Sequence, residues 1–329
     1  MTLNIALLGA GRIGKVHAKA VAAQPSARLS AVHDASTEAA QALASAHGCA
    51  VRSLEEIQVD PAVQAVLICT PTDTHADLIE RFTAAGKAVF CEKPVDLDIG
   101  RVRSCLKAVE AVGGKLMIGF NRRFDPHFAA VKAAIEAGKI GKVEMATITS
   151  RDPGLPHLEY LPRSGGIFRD MTIHDFDMAR HLLGEEIAKV QASAAALVDP
   201  RVAELGDFDS ASVILTTASG RQALISNSRR ASYGYDQRIE VHGSEGMISA
   251  ENQRAYDIEL ATKAGYLRPP LQDFFMTRYA AAYEAEIAAF IRMAVEGAAP
   301  SPGGHDGLKA LEIAEAALLS VKEGRAVAI

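Results

Sequence analysis

The sequence predicts an α/β protein: an N-terminal doubly wound parallel sheet, then an α+β domain with a large, open, mainly antiparallel sheet. Three observations lead there. Short apolar runs alternate with amphipathic stretches through about residue 120, and a glycine-rich turn follows the first run. From Lys142 onward, extended segments succeed one another across short turns. At 329 residues the chain is long for one core, so two domains are expected, 1–120 and 121–329.

Residues 2–8 form an apolar run bounded by glycine, the pattern of a buried parallel strand. Helical spacing over 13–23 stops before Pro25. A strand over 29–33 ends at Asp34, and a helix over 37–47 has Gly48 at its C-terminal cap. Strands follow at 65–69, 88–91 and 116–119, with helices at 75–85 and 99–112 between them. Beyond 120, helices are expected at 128–137 and 175–183. Strands are expected at 143–150, 188–197, 212–217, 222–228, 238–242 and 247–250. Ala218-Ser219-Gly220 and Gly243-Ser244-Glu245-Gly246 read as hairpin turns. The last segment, 307–323, sets Leu311, Ala314, Leu318 and Val321 on one helical face and is expected to pack back on the body.

Composition narrows the function. The net charge is −5, without long like-charge runs, and no basic face is available for nucleic acid. Arg122-Arg123 and Arg229-Arg230 are isolated pairs, read as site-lining or solvated. No apolar run approaches the roughly 18 residues of a membrane span, and no signal peptide is expected. The four cysteines (Cys49, Cys69, Cys91, Cys105) lack C-x-x-C spacing, so buried reduced thiols in a cytoplasmic protein are expected.

Gly9-Ala10-Gly11-Arg12-Ile13-Gly14 fits G-x-G-x-x-G between a strand and a helix, with Asp34 closing the next strand about 20 residues on. The first glycine permits the turn, the second admits a pyrophosphate, and the third lets the helix close on the strand. Asp34 can accept the adenosine ribose hydroxyls and would repel a 2′-phosphate. No Arg follows it, so NAD is preferred over NADP.

Two further clusters sit where strands of such a sheet end: Thr70-Pro71-Thr72-x-x-His75 and Cys91-Glu92-Lys93-Pro94. Thr70, Pro71, His75, Glu92 and Lys93 join the glycine loop as candidate cofactor contacts, although His75 could equally cap its helix. A third cluster in the second domain places Asp170, His174 and Asp177 at i, i+4 and i+7, one face of a helix if that helix is continuous. A His between carboxylates is a proton acceptor near neutral pH, and Lys93 can stabilise a developing alkoxide. The same three residues also fit a divalent metal or a purely structural role, and the residues alone leave these readings open.

Taken together and in order, the glycine loop, Glu92-Lys93-Pro94 and the Asp170…His174 spacing resemble the Gfo/Idh/MocA oxidoreductases, over essentially the whole chain. The resemblance implies a Rossmann domain, an open C-terminal sheet and homotetramers formed through that sheet. It also implies a Lys93–Asp170–His174 catalytic group and no catalytic metal. Within the family the chain is most similar to the inositol dehydrogenase branch, at 119–125, 150–153, 167–184, 233–236 and 273–279. That likeness implies NAD-dependent oxidation of myo-inositol to an inosose, with Asn121, Asp152, Asp177 and Tyr235 contacting substrate hydroxyls. The chain departs from some members of that branch, which carry His and Asn where it has Ser150 and Asp152. Scyllo-inositol or a pyranose sugar is the alternative substrate. A non-catalytic NAD-binding sensor is the alternative of another class, but a sensor has no need of the Lys93/Asp170/His174 set.

Overall fold

In the computed structural model, which describes residues 2–329, the chain divides into two units. The first gathers residues up to Asp125 together with Ala280–Leu311, and the second holds Pro126–Tyr279 and Glu312–Ile329.

The first unit is laid down by β1 (Leu3–Leu8), α1 (Arg12–Ala22), β2 (Ala27–His33), α2 (Thr37–His47), β3 (Ala50–Val51), α3 (Leu54–Val59), β4 (Ala65–Ile68), α4 (His75–Ala84), β5 (Ala88–Cys91), α5 (Ile99–Ala111) and β6 (Leu116–Ile118). Its sheet has the order β3-β2-β1-β4-β5-β6, and every pair is parallel. The order reverses between β1 and β4, so a crevice opens there beyond the carboxyl ends of the strands. The central strands bury both faces. Ile5, Leu7, Val66, Leu67, Val89 and Phe90 are all 0% exposed, each contributing about 1.5–3 kcal/mol of apolar transfer. Gly48 closes α2 in the left-handed conformation at φ 64°. The short α3 is started by a reciprocal cap between Ser53 and Glu56.

The outer face of α1 needs cover, and the chain returns late to supply it. After α6 (Pro126–Glu136), β7 (Val143–Arg151), α7 (Leu161–Ser164), α8 (Gly166–Asp170), α9 (Ile173–Leu183), β8 (Ile187–Ala195), α10 (Pro200–Glu204), β9 (Ser210–Thr217), β10 (Gln222–Ser228), β11 (Asp236–Gly243), β12 (Gly246–Ala250), β13 (Leu260–Thr262), β14 (Gly265–Leu267) and α11 (Phe275–Arg278) comes α12 (Ala280–Glu296). This helix packs on α1, with Tyr283 edge-on to His17 and the Glu284 carbonyl accepting from Gln24. Residues 280–311 therefore belong with the first unit rather than with the 121–329 segment expected from sequence. The final α13 (Gly304–Glu323) contributes its first residues to the first unit and the rest to the second, before β15 (Val327–Ala328).

The second unit's sheet runs β12-β11-β7-β10-β9-β8-β15. It is antiparallel except where β10 lies parallel to β7, because β10 and β11 flank β7 and the connection between them crosses its end. The period-2 alternation of the sequence is obeyed. Ala146, Ile148, Val213, Leu215, Ala223 and Ile225 point inward and are buried, and α9 packs against β7 and β10. On the other face Thr147, Ser212, Ile214 and Leu224 are exposed. No helix of the described residues is long and apolar enough to cross a membrane.

Candidate active site

In the first unit the sequence-chosen residues converge at the carboxyl edge of the sheet. The glycine loop follows β1, Thr70-Pro71 follows β4, Glu92-Lys93-Pro94 follows β5 and Asn121 follows β6. Gly9 has φ +99°, and a Cβ there would lie 2.4 Å from the Cys69 carbonyl oxygen. A Cβ on Gly14 would lie 1.9 Å from the Gly9 carbonyl oxygen, so α1 rests directly on the loop. Gly11 has open space where its Cβ would be. It caps α1 in an extended conformation with no side-chain hydrogen bond, so the first-turn N–H groups are presented to an anion. Arg12 begins the helix exposed, and Ile13 is half-buried.

Asp34 does more than face a ribose. Its Oδ2 accepts from the Ala10 N–H at 2.6 Å and its Oδ1 from the Ser36 N–H at 2.7 Å, so the carboxylate also fastens the glycine loop to the end of β2. Each oxygen retains acceptor capacity for a hydroxyl. These features fit a dinucleotide: close backbone approach at Gly11, an open helix start and an acidic hydroxyl acceptor.

His75 is placed differently from a nicotinamide contact. It is 1% exposed, with Nδ1 2.7 Å from the Pro94 carbonyl and Nε2 2.8 Å from the Thr70 carbonyl. The ring ties the loop after β4 to the loop after β5. Burial lowers its pKa against the raising effect of both carbonyls and Glu92. Beside it, Thr74 Oγ1 donates to the Pro71 carbonyl at 2.8 Å, which leaves Thr70 as the donor in the 2.7 Å bond between the two hydroxyls.

Glu92 accepts from or donates to the fully buried His17 at 2.6 Å, and Gly119 packs against its carboxyl group. Behind this pair lies Glu286 of α12, 0% exposed and with neither carboxyl oxygen hydrogen-bonded among the described residues. Burial first, then the charge of Glu92, pushes its pKa well above the usual carboxylate range. The Cys91 thiol, two residues before Lys93, is fully buried and likewise pushed up by burial and by Glu92, so it is a packed thiol rather than a nucleophile. Lys93 is half-buried.

The second unit holds the other candidates. The expectation of one helical face through Asp170, His174 and Asp177 fails at Met171-Thr172. There the Thr172 N–H reaches five residues back to the Ile167 carbonyl at 2.9 Å, while its hydroxyl bonds Asn227 at 2.7 Å. Asp170 therefore ends α8, and His174 and Asp177 lie one turn apart on α9. Asp170 accepts from the Tyr160 hydroxyl at 3.0 Å and from Arg229 Nη2 at 3.1 Å. Asp177 is 1% exposed, with the Arg180 guanidinium 3.7 Å away. Tyr235 is buried edge-on to Phe274 and Tyr279. Asp152 follows β7, its N–H donating to the Ser228 carbonyl at 2.9 Å.

Under these residues runs a fully buried polar network that sequence reasoning missed. Asp175 accepts from Ser150 at 2.6 Å and from Asn227 at 2.8 Å, anchoring the start of α9 to β7 and β10. Its members are 52 and 25 residues from Asp175 in sequence, which is why no local pattern reveals it. Arg229 is also missed as an individual. The Arg229-Arg230 pair splits, Arg229 being 2% exposed and Arg230 exposed.

A doubly wound sheet with a glycine loop at its switch point and an acidic residue closing β2 defines a dinucleotide-binding protein. The family comparison narrows this. Residues 3–120 match the model described as "Oxidoreductase family, NAD-binding Rossmann fold", and residues 128–249 match the GFO/IDH/MocA C-terminal domain. A curated relative, inositol 2-dehydrogenase of Rhizobium meliloti (strain 1021), is 64% identical over 329 residues, covering 100% of both chains. Among solved structures, a myo-inositol dehydrogenase from Corynebacterium glutamicum is 44% identical with TM-score 0.96, covering 100% of this chain and 99% of that one. The scyllo-inositol dehydrogenase from Lactobacillus casei, solved with NAD(H) and scyllo-inositol, is 27% identical with TM-score 0.92 and covers 100% and 99%. The chain belongs to the Gfo/Idh/MocA oxidoreductase family and is an NAD-dependent dehydrogenase.

Proposed function

We propose that this enzyme oxidises myo-inositol at one ring hydroxyl to the corresponding inosose. The observation that carries the reading is the full-length 64% identity to an inositol 2-dehydrogenase. A cyclic polyol offers only hydroxyls, so selection demands a surface dense in hydrogen-bonding side chains. Asp152, Asp177 and Tyr235 in the second unit and Asn121 in the first are the groups assigned to it.

Bound NAD would supply the acceptor for the hydride released from the carbinol carbon. Gly9, Gly11, Gly14 and the start of α1 would hold its pyrophosphate, Asp34 its adenosine ribose, and the loops at Thr70-Pro71 and Glu92-Lys93 its nicotinamide end. His75 braces those two loops. The chain's own residues handle the proton. Lys93 hydrogen-bonds the reacting oxygen and stabilises developing negative charge, and His174 accepts the proton as the carbonyl forms. Asp170 is the carboxylate of that group. The grouping of Lys93 with Asp170 and His174 rests on the family resemblance, as does a cytoplasmic homotetramer assembled through the open face of the second unit's sheet. The match to a scyllo-inositol enzyme makes that stereoisomer the second reading.

The test is NAD and NADP reduction against myo-inositol, scyllo-inositol, chiro-inositols, glucose and xylose, with Lys93→Ala as control. Myo-inositol with NAD is expected to give the highest kcat/KM, and Lys93→Ala to lower it by about 100-fold or more. No turnover on any polyol refutes the function. Undiminished turnover in Lys93→Ala refutes the mechanism.

A further inference from the structure

Arg229 is a buried guanidinium of the second unit that is bonded to a proposed catalytic residue, Asp170. Its backbone is pinned just after β10, where its N–H donates to the Asp209 carbonyl at 2.8 Å. Asp209, itself 0% exposed, is held in turn by the N–H groups of Leu197, Val198 and Asp199. The guanidinium is therefore delivered by a rigid mount.

Its surroundings are acidic. Nη2 donates to Asp170 at 3.1 Å, and Asp152 and Asp207 act on it through their charges. Burial works against the positive charge, yet those three carboxylates together raise the guanidinium pKa above its ordinary value. Asp207 Oδ1 accepts from the Ile167 N–H at 2.9 Å, while its Oδ2 and Arg229 Nε are buried without a hydrogen bond among the described residues. A Cβ on Gly166, at φ +82°, would lie 2.7 Å from the same Asp207 carboxylate. The short α8 is thus gripped at both ends, by Asp207 at its start and by Arg229 at Asp170.

We propose that Arg229 is a positioning residue for the reaction: it fixes the Asp170 carboxylate, and its charge offsets those of Asp170 and Asp152. Neighbouring carboxylates raise each other's pKa, and a shared buried cation cancels that effect. Arg229 touches neither substrate nor cofactor in this role and acts through the two aspartates. The inference rests on the assignment of Asp170 and Asp152 to the polyol site made above.

The experiment compares wild type, Arg229→Gln, Arg229→Lys and Tyr160→Phe in kcat/KM against pH, with the NADH dissociation constant measured in parallel. Arg229→Gln is expected to lose roughly 30-fold or more at neutral pH. Its acid limb should move to higher pH, and its NADH affinity should stay within about threefold of wild type, the cofactor loop lying in the other unit. Arg229→Lys should restore the position of the limb and part of the rate. Tyr160→Phe removes the second donor to Asp170 from an exposed side chain, and should move the limb the same way by less. A second readout needs no turnover. The Asp170 carboxyl ¹³C signal, identified by its loss in Asp170→Asn, should titrate at higher pH in Arg229→Gln. A uniform loss across pH with an unmoved limb means a structural role and overturns the proposal. If both Arg229 variants fail to bind NADH, an unmoved limb in Tyr160→Phe overturns it. A wild type that turns over no polyol refutes the substrate reading instead, and an unmoved ¹³C titration then refutes this one.

Discussion

Gly14→Ala is the sharpest probe of the cofactor site, because the structure sets its size. The new methyl carbon would stand 1.9 Å from the Gly9 carbonyl oxygen and 3.0 Å from its carbonyl carbon, both backbone atoms that no rotamer change moves. Real Cβ contacts essentially stop at 3.0 Å, so the start of α1 must retreat from the loop by about 1.1 Å, the difference between 3.0 and 1.9. Three costs follow. Forced overpacking destabilises by about 1–3 kcal/mol. The N–H groups at Gly11 and Arg12 lose their register with the pyrophosphate. A displacement near 1 Å in a positioned reactant costs on the order of 100-fold in rate. The expected result is an NADH dissociation constant raised at least about tenfold by fluorescence titration, with a melting temperature several degrees lower. If Gly14→Ala binds NADH within twofold of wild type, the cofactor site does not depend on the contact between α1 and the glycine loop.

Asp34→Ala removes a charge-assisted acceptor worth about 1.5–3 kcal/mol and unfastens Ala10, so NAD affinity should fall roughly 10- to 100-fold while NADP affinity falls less. An unchanged NAD/NADP ratio in coenzyme titrations contradicts the assignment. Glu286 holds its proton in the folded state because burial, then Glu92, raises its pKa. A raised folded pKa gives stability that is complete below the unfolded carboxyl value and is lost as pH rises. Glu286→Gln should therefore gain melting temperature at pH 8 and little at pH 4.5. A gain that is flat with pH in calorimetric scans speaks against a buried neutral acid.

The parallel sheet is legible because its strands are short, apolar on both faces and punctuated by Gly, Pro or Asp, as in Ala65–Ile68 and Ala88–Cys91. α3 escapes the pattern despite its Ser53…Glu56 cap, since six residues carry little periodicity. α12 is a different omission. Its buried Ala282, Tyr283, Glu286, Ile287, Phe290 and Ile291 have helical spacing that can be read in the sequence. Nothing local says that they cover α1, more than 250 residues earlier in sequence. The site divides the same way. Loop ends after strands expose Gly9, Thr70 and Lys93 to inspection because strand ends are fixed by local signals, whereas Asn121 is named only by the family likeness. The break after Asp170, the Asp175–Ser150–Asn227 network and the buried Arg229 are products of long-range pairing, which spacing along one segment does not encode.

The late return of α12 also orders the birth of the molecule. A ribosome finishes Asp125, and with it every strand of the nucleotide-binding sheet, long before it reaches Glu296. At the usual 5–20 residues per second that interval is roughly 9–34 s. Throughout it the outer flank of α1, including His17, faces water or a chaperone. The second unit's strands from β7 to β12 emerge within the same interval, and only its edge strand β15 comes later. The cofactor fold, first in sequence, is completed only after most of the second unit has been made, and a chain cut after residue 279 would carry the glycine loop without the helix that backs it.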